Sequence, residues 1–298
     1  MAVLIGTGFC VPDKVITNIE ISDSWKWIVE NTGIRERRIG MTSTDLGAEA
    51  AMRAIENAGK NEGIRKEDID MIIVATSTPD KIAPSTACLI RNKLNLNAVA
   101  FDVNAVCSGF LFALSVAENY TKSGYNNVLV IGVDTYSQII DWEHRDCIYF
   151  GDGAGAVILS SKESRFYKII IRSEKMEEGF ICEHGQKFVM KGSEVYKSAL
   201  RLLPAVINEI LNDCFMVINH IDYMVPHQPA IRILKDVSTK IGIPFEKVLT
   251  NMDKYGNTAA ATIPILLAEN WHRFKRYDTL LFASIGSGWN YGAAIYEV

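Results

Sequence analysis

None of the six cysteines (Cys10, Cys88, Cys107, Cys147, Cys182 and Cys214) stands in a CxxC spacing with another. Neither a zinc cluster nor a disulfide framework is suggested, and a reducing cytoplasm is the expected setting. No apolar run approaches the roughly 20 residues that a membrane helix needs, so membrane insertion is not expected. The opening stretch, MAVLIGTGFCVP, lacks a basic leader and a small-residue cleavage site, and Gly6, Gly8 and Pro12 soon interrupt it. It reads as a buried first strand rather than a signal peptide. Basic charge is in short supply too. Against 35 Asp and Glu there are 31 Lys and Arg, a net charge of −4, which argues against nucleic acid as a partner. What is present is ordinary globular material: 298 residues, 48% hydrophobic and 22% charged, enough for one large domain or two fused ones.

The chain also repeats itself. Ile69-Asp70-Met71-Ile72-Ile73-Val74 opens one apolar strand, and Ile221-Asp222-Tyr223-Met224-Val225 opens another half a chain later. Ala117-Glu118-Asn119 and Ala268-Glu269-Asn270 each close a helix, and each leads through a polar turn to an apolar strand, Asn127–Gly132 and Asp278–Ala283. Each half then reaches a glycine-rich hairpin, Gly151–Leu159 and Gly286–Ile295. Amphipathic helices around Leu46–Ala58, Pro84–Lys93 and Val195–Leu211 alternate with the strands, the βαβ pattern of a buried, mostly parallel sheet. The expected fold is therefore α/β, with residues 1–160 forming one half and 161–298 the other. Residues 162–190 carry more charge and have no counterpart between the halves, so they read as an inserted cap or loop.

Three reactive residue types fall at the turns of this pattern. Cys107 lies in Asp102-Val103-Asn104-Ala105-Val106-Cys107-Ser108-Gly109, between a strand and an apolar helix running from about Ser108 to Tyr120. A helix N-terminus favours a thiolate, and the small neighbours Ala105, Ser108 and Gly109 let a substrate carbonyl approach. The plainer reading is a packed core cysteine. His227 lies between two prolines in Val225-Pro226-His227-Gln228-Pro229, at the C-terminal end of a strand, where open α/β sheets bind ligands. A satisfied structural histidine would look the same. Asn257 opens Asn257-Thr258-Ala259-Ala260-Ala261 and could equally be an N-cap. The repeat makes the Asn257 region the counterpart of the Cys107 region, with His227 on a neighbouring strand end. A Cys–His–Asn order is also that of papain-like proteases. The protease cysteine neighbourhood is absent, however, and the duplicated parallel-sheet pattern is wrong for that fold.

These residues make the chain resemble β-ketoacyl-acyl carrier protein synthase III, of the thiolase fold, nearly from end to end. The resemblance rests on Ile5-Gly6-Thr7-Gly8, Trp27-Ile28-Val29, Thr32-Gly33-Ile34-Arg35-Glu36-Arg37, Val74-Ala75-Thr76-Ser77, the Cys107 turn, Phe150-Gly151-Asp152-Gly153-Ala154-Gly155-Ala156, Val225-Pro226-His227-Gln228 and Gly256-Asn257-Thr258. It implies a layered α/β/α/β/α arrangement, a homodimer, and a ping-pong condensation without metal or redox cofactor. Cys107 would take an acyl group from a coenzyme A or phosphopantetheine thioester. Backbone N–H groups of Cys107 and Ser287 would hold the tetrahedral oxyanion. Malonyl-acyl carrier protein would then lose CO₂, and His227 and Asn257 would hydrogen-bond the enolate. The resemblance also implies that Trp27, Arg35 and Arg145 bind coenzyme A and that Arg232 docks the carrier protein.

The chain departs from that family pattern in places. Asn31 stands where the family commonly has an arginine, and Pro229 and Ser193 stand where it has asparagines. Losing these groups weakens phosphate and pantetheine contacts by ~1 kcal/mol each, more for a charged one. An acyl donor carried on a protein is the corresponding expectation. A shorter segment before Met190, and Ala83 in place of a bulky residue, would open the acyl pocket to longer or branched groups. Lys235 and Lys240 share a helix face with Arg232, although charge at that spacing is usually a solvated face. An acyltransferase that moves the acyl group to a small acceptor without decarboxylation is the runner-up, and a silent subunit of an active paralogue is the reading from another class.

Overall fold

The computed structural model describes residues 2–162, 165–176 and 178–298. Nine strands form two sheets. The first contains β1 (Val3–Cys10), β2 (Met71–Ala75), β3 (Val99–Val103), β4 (Asn127–Thr135) and β5 (Asp152–Ser160), in the order β1-β5-β4-β2-β3. The second contains β6 (Phe166–Ser173), β7 (Tyr223–Pro226), β8 (Thr279–Gly286) and β9 (Asn290–Glu297), in the order β7-β8-β9-β6. A parallel bridge from Met224 to Val248 extends it past β7. Read strand for strand, the second order is the first repeated. Both sheets are mixed: β4 pairs in parallel with β2, and β8 with β7, while the glycine-rich β5 and β9 run antiparallel.

Six of the helices complete five layers. α3 (Gly109–Lys122) and α6 (Thr262–Asn270) lie between the sheets. Their core combines Phe110, Leu114 and Leu266 with Val130 and Val157 of one sheet and Leu280 and Phe282 of the other. α1 (Ser43–Glu62) and α2 (Thr86–Lys93) cover the outer face of the first sheet, and α4 (Gly192–Asp213) and α5 (Ile231–Ile241) that of the second. α1 shows how local chemistry sets the layering. Thr42 caps it by accepting the Asp45 N–H, and Gly63 ends it in the left-handed region at φ 69°. Its alanine face (Ala50, Ala51, Ala54, Ala58) lies flush on β1, because a Cβ on Gly8 would come within 2.4 Å of the Ala54 nitrogen. No helix among the described residues is long and apolar enough to cross a membrane.

Two expectations need correction. Residues 166–173 are not inserted: they are β6, the edge strand that matches β1 of the other half. Its outward residues Lys168 and Arg172 meet solvent and ion-pair with α4, so the segment reads as charged although it is sheet. Part of the remainder borders the site, whose cavity Phe180 and Met190 help to line. Phe180–Ile181 and Val189–Met190 pair as a short ribbon beside the site. Glu163, Ser164 and Glu177 lie outside the described residues. Nor is Gly151–Leu159 a hairpin. Asp152–Ser160 is a single strand, paired with β1 on one side and β4 on the other.

Candidate active site

The Cys107 turn begins where β3 ends. Asn104 Oδ1 accepts the Val106 N–H at 3.2 Å, and Val106 takes a left-handed φ of 49°, so the chain reverses in one residue. Cys107 then sits in a 3₁₀ turn, Val106–Ser108, that runs into α3. Strand β8 of the other half closes over it through Gly286, where a Cβ would lie 2.9 Å from the Cys107 nitrogen. Ser287 follows Gly286 and lines the same cavity as Cys107. No backbone carbonyl outside its own turn takes the Cys107 N–H among the described residues. Contrary to the expectation of a resting thiolate, burial pushes the Cys107 thiol far above its ordinary value, and the nearby Asp134 carboxylate adds to that. Only a hydrogen bond from its own backbone N–H works in the other direction. That direction favours the neutral thiol at rest.

His227 follows β7, its N–H held by the Ala283 carbonyl at 2.9 Å. Its Nδ1 lies 2.8 Å from Thr262 Oγ1 at the start of α6. Burial pulls the imidazole down to about 3, against an opposing hydrogen bond to the Ala259 carbonyl. It is neutral at ordinary pH. Asn257 is gripped by backbone on both sides: its N–H donates to the Tyr149 carbonyl at 2.9 Å, and its carbonyl accepts from Gly151 at 3.1 Å. The side chain is oriented as well. Oδ1 accepts the Ala259 N–H at 2.9 Å, leaving the amide NH₂ to the cavity. That NH₂ is a donor and never a base.

Cys107, His227 and Asn257 line one cavity of about 290 Å³, together with Gly286 and Ser287. Trp27, Asn31 and Arg232 line it too. Arg232 stacks over Tyr196 at 5.3 Å, and the Tyr196 hydroxyl donates to Asp236 at 2.5 Å. Arg35 and Arg145 are exposed and do not line this cavity. Lys235 lies over the Phe245 ring and Lys240 donates to the Leu200 carbonyl, so neither joins Arg232 in lining it. A second hollow, lined by Ser77, Tyr136, Met176 and Cys182, shares Val106, Phe180 and Ser287 with the first. Ala83 is exposed and lines neither. Among the described residues no group of His, Cys, Asp and Glu could hold a metal ion.

Sequence reasoning missed Asp134 and Thr262. Asp134, fully buried at the end of β4, accepts from the N–H and hydroxyl of Ser77, the hydroxyls of Thr76 and Thr78, and the Ala260 N–H. Thr262 looked like one more residue of an apolar helix.

The family models agree with this geometry. Residues 101–175 match the model for 3-oxoacyl-[acyl-carrier-protein (ACP)] synthase III, and residues 211–298 match the model for its C-terminal part. Over 99% of its length the chain is 39% identical to the Beta-ketoacyl-[acyl-carrier-protein] synthase III of Clostridium acetobutylicum, 98% of which is covered. The chain belongs to the 3-oxoacyl-[acyl-carrier-protein] synthase III family. The crystal structure of the synthase III from Aquifex aeolicus superposes with a TM-score of 0.95 at 38% identity, covering 100% of both chains. The priming β-ketosynthase of the R1128 polyketide biosynthetic pathway gives a TM-score of 0.92 at 26% identity, over 100% of this chain and 96% of that one. Proteins of this thiolase fold thus include, by name, synthase III enzymes and the priming ketosynthase of a polyketide pathway.

Proposed function

We propose that this chain is a decarboxylating condensing enzyme that joins an acyl thioester to malonyl-acyl carrier protein and releases a 3-oxoacyl product, as in fatty acid biosynthesis. The observation that carries the reading is the convergence of Cys107, His227 and the outward NH₂ of Asn257 on one cavity. In the first half-reaction Cys107 gives its proton to His227, and its sulfur attacks the thioester carbonyl. The oxyanion is held by the Cys107 and Ser287 N–H groups. The donor thiol then leaves with the proton. In the second half-reaction malonyl thioester binds with its carbonyl oxygen at Asn257 and His227. The bond to the carboxylate breaks, CO₂ leaves, and the enolate carbon attacks the acyl-cysteine. Cys107 departs as thiolate and takes up one proton. Asn257 favours this chemistry, because a carboxylate at that position would be a base and would repel an enolate.

The reaction is an acyl transfer in the Claisen sense and needs no cofactor, only thioester substrates. Coenzyme A or a carrier protein supplies the acyl group, Trp27, Arg35 and Arg145 bind the nucleotide end, and Arg232 meets the acidic carrier. The half spanning 1–160 supplies the nucleophile, and the half spanning 161–298 the histidine and asparagine. A cytoplasmic homodimer is the working form in this reading. The test is intact-protein mass after incubation with acyl-CoAs and acyl-carriers, followed by a malonyl-carrier chase with CO₂ detection. Acylation that disappears in Cys107→Ala and is cleared by malonyl-carrier with CO₂ release supports the reading. Acylation without malonyl-dependent CO₂ release makes the enzyme a transferase to some other acceptor.

A further inference from the structure

His227 meets two demands from one ring. Resting on the proposed reaction, it must accept the Cys107 proton in the first half-reaction and hydrogen-bond the enolate oxygen in the second. A neutral imidazole carries one N–H and one lone pair, so its tautomer decides which it can do. The residues around the buried nitrogen fix that choice. Nδ1 lies 2.8 Å from Thr262 Oγ1, and that same hydroxyl lies 2.8 Å from the Ala259 carbonyl oxygen. A carbonyl only accepts, so the single hydroxyl hydrogen of Thr262 is committed to Ala259. What it offers Nδ1 is a lone pair, and the Ala259 carbonyl, which the ring also hydrogen-bonds, can likewise only accept.

We infer that Thr262 is a positioning residue that holds the His227 proton on Nδ1 and so reserves Nε2 for the reaction. Back-bonding to the carbonyl three residues earlier is common for a threonine at a helix start and by itself means little. Here the hydroxyl also meets a ring nitrogen of a buried histidine from the other side of the turn, 35 residues away. Every proton that His227 handles then passes through Nε2. In the first half-reaction the Cys107 proton moves to Nε2, the sulfur–carbonyl bond forms, the donor C–S bond breaks, and the departing thiolate takes that proton back. In the second, as negative charge gathers on the malonyl carbonyl oxygen, Nε2 takes up the one bulk-solvent proton that this half-reaction consumes overall and donates a hydrogen bond to the enolate oxygen. It then yields the proton to the Cys107 thiolate as the acyl C–S bond breaks. Asn257 is the permanent donor to the enolate, and His227 joins it only while Nε2 is charged with a proton.

The test combines a spectroscopic readout with two variants. In enzyme labelled with ¹⁵N-histidine, NMR of the resting protein reads the tautomer directly, with His227→Asn to assign the signal. The expected result is a protonated Nδ1 and a bare Nε2 in the wild type and in Thr262→Ser, with mixed tautomers in Thr262→Val. The rate of Cys107 acylation should fall about tenfold or more in Thr262→Val, with KM for the donor little changed, and recover in Thr262→Ser. A wild-type ring protonated on Nε2, or equal losses in the serine and valine variants, overturns the inference. Failure of the wild type to be acylated by any donor is a separate outcome. It removes the condensing reading and leaves the tautomer assignment to be judged by the NMR alone.

Discussion

The turn that carries Cys107 and the turn that carries Ala260 are built alike and used differently. In each, an asparagine (Asn104, Asn257) accepts the N–H two residues on. In each, that same residue is left-handed although it is not glycine: Val106 at φ 49° and Ala259 at φ 47°. In each, a 3₁₀ turn feeds a helix of the central layer, and a strand glycine of the opposite half presses on it, Gly286 on Cys107 and Gly132 on Ala260. They differ in what fills the place next to the backbone nitrogen. The Ala260 N–H is taken by Asp134 Oδ2 at 3.0 Å, whereas no carboxylate is bonded to the Cys107 N–H among the described residues, and Cys107 lines the cavity. One turn thus holds a resident carboxylate where the other leaves room for a transient oxyanion. The Asp134 contact shows that this backbone shape can bind a negative oxygen, which supports the oxyanion role given to Cys107.

The strongest way to break the comparison is to erase its chemical difference. Cys107→Ala makes the two turns alike at the reactive position. It should abolish acylation altogether while leaving the melting temperature near that of the wild type. Residual acylation at another cysteine would show that the nucleophile had been misassigned.

Next in size is the resident carboxylate. Burial raises the Asp134 pKa to about 6, in spite of its hydrogen bonds, from an ordinary value of about 4. A folded pKa above the unfolded one means that this group's contribution is fully present below about pH 4 and is lost as pH rises through about 6. The loss amounts to about 3 kcal/mol, from ~1.4 kcal/mol for each tenfold change. Asp134→Asn removes the titration. The stability difference between wild type and variant should therefore shrink by that amount between pH 4 and 7, as read by urea unfolding. A difference that stays constant with pH would show that Asp134 does not titrate in this window.

The paired asparagines allow a finer division. Asn257→Ala removes both the turn contact and the cavity-facing donor. It should lower malonyl-dependent CO₂ release about a hundredfold, as loss of one oxyanion donor typically does, with Cys107 acylation changed far less. Asn104→Ala removes only a turn contact and should cost about 1 kcal/mol of stability. Equal effects of Asn257→Ala on both half-reactions would assign Asn257 to positioning instead of to the enolate.

How much of this was legible depended on how local its cause was. The strand–turn–helix at Cys107, the stiff Pro226-His227 strand end and the Asn257 turn are written in neighbouring residues, so the sequence placed them together once the repeat was seen. Asp134 was not legible. It ends a strand that reads Val-Leu-Val-Ile-Gly-Val, and its partner Ala260 is 126 residues away. Thr262 was hidden for the same reason, since its meaning comes from a ring nitrogen 35 residues away, just past the end of β7. β6 was misread because an edge strand meets water on one side and acquires lysine and arginine. Its counterpart β1 is buried against α1 and keeps glycine and apolar residues, so the two no longer look like a repeat.

The smallest expected effect tests why both turns keep a non-glycine residue in a left-handed conformation. A β-branched side chain at φ 49° is strained by about 1–3 kcal/mol, more than an alanine at φ 47°. Val106→Gly relieves that strain but adds freedom to the unfolded chain, costing roughly 1 kcal/mol, and also removes side-chain contacts where the two hollows meet. The net change in stability should be within about 1 kcal/mol of zero. Ala259→Gly has less strain to relieve and the same entropy to lose, so it should destabilise by about 0.5–1 kcal/mol. Val106 also forms part of the wall shared by the two hollows. Its replacement by glycine should therefore shift the preference of Cys107 acylation towards bulkier acyl groups, while Ala259→Gly should leave that preference unchanged. If Val106→Gly destabilised more than Ala259→Gly with no change in acyl preference, Val106 would be kept for packing alone, and the two turns would differ only in the thiol and the carboxylate.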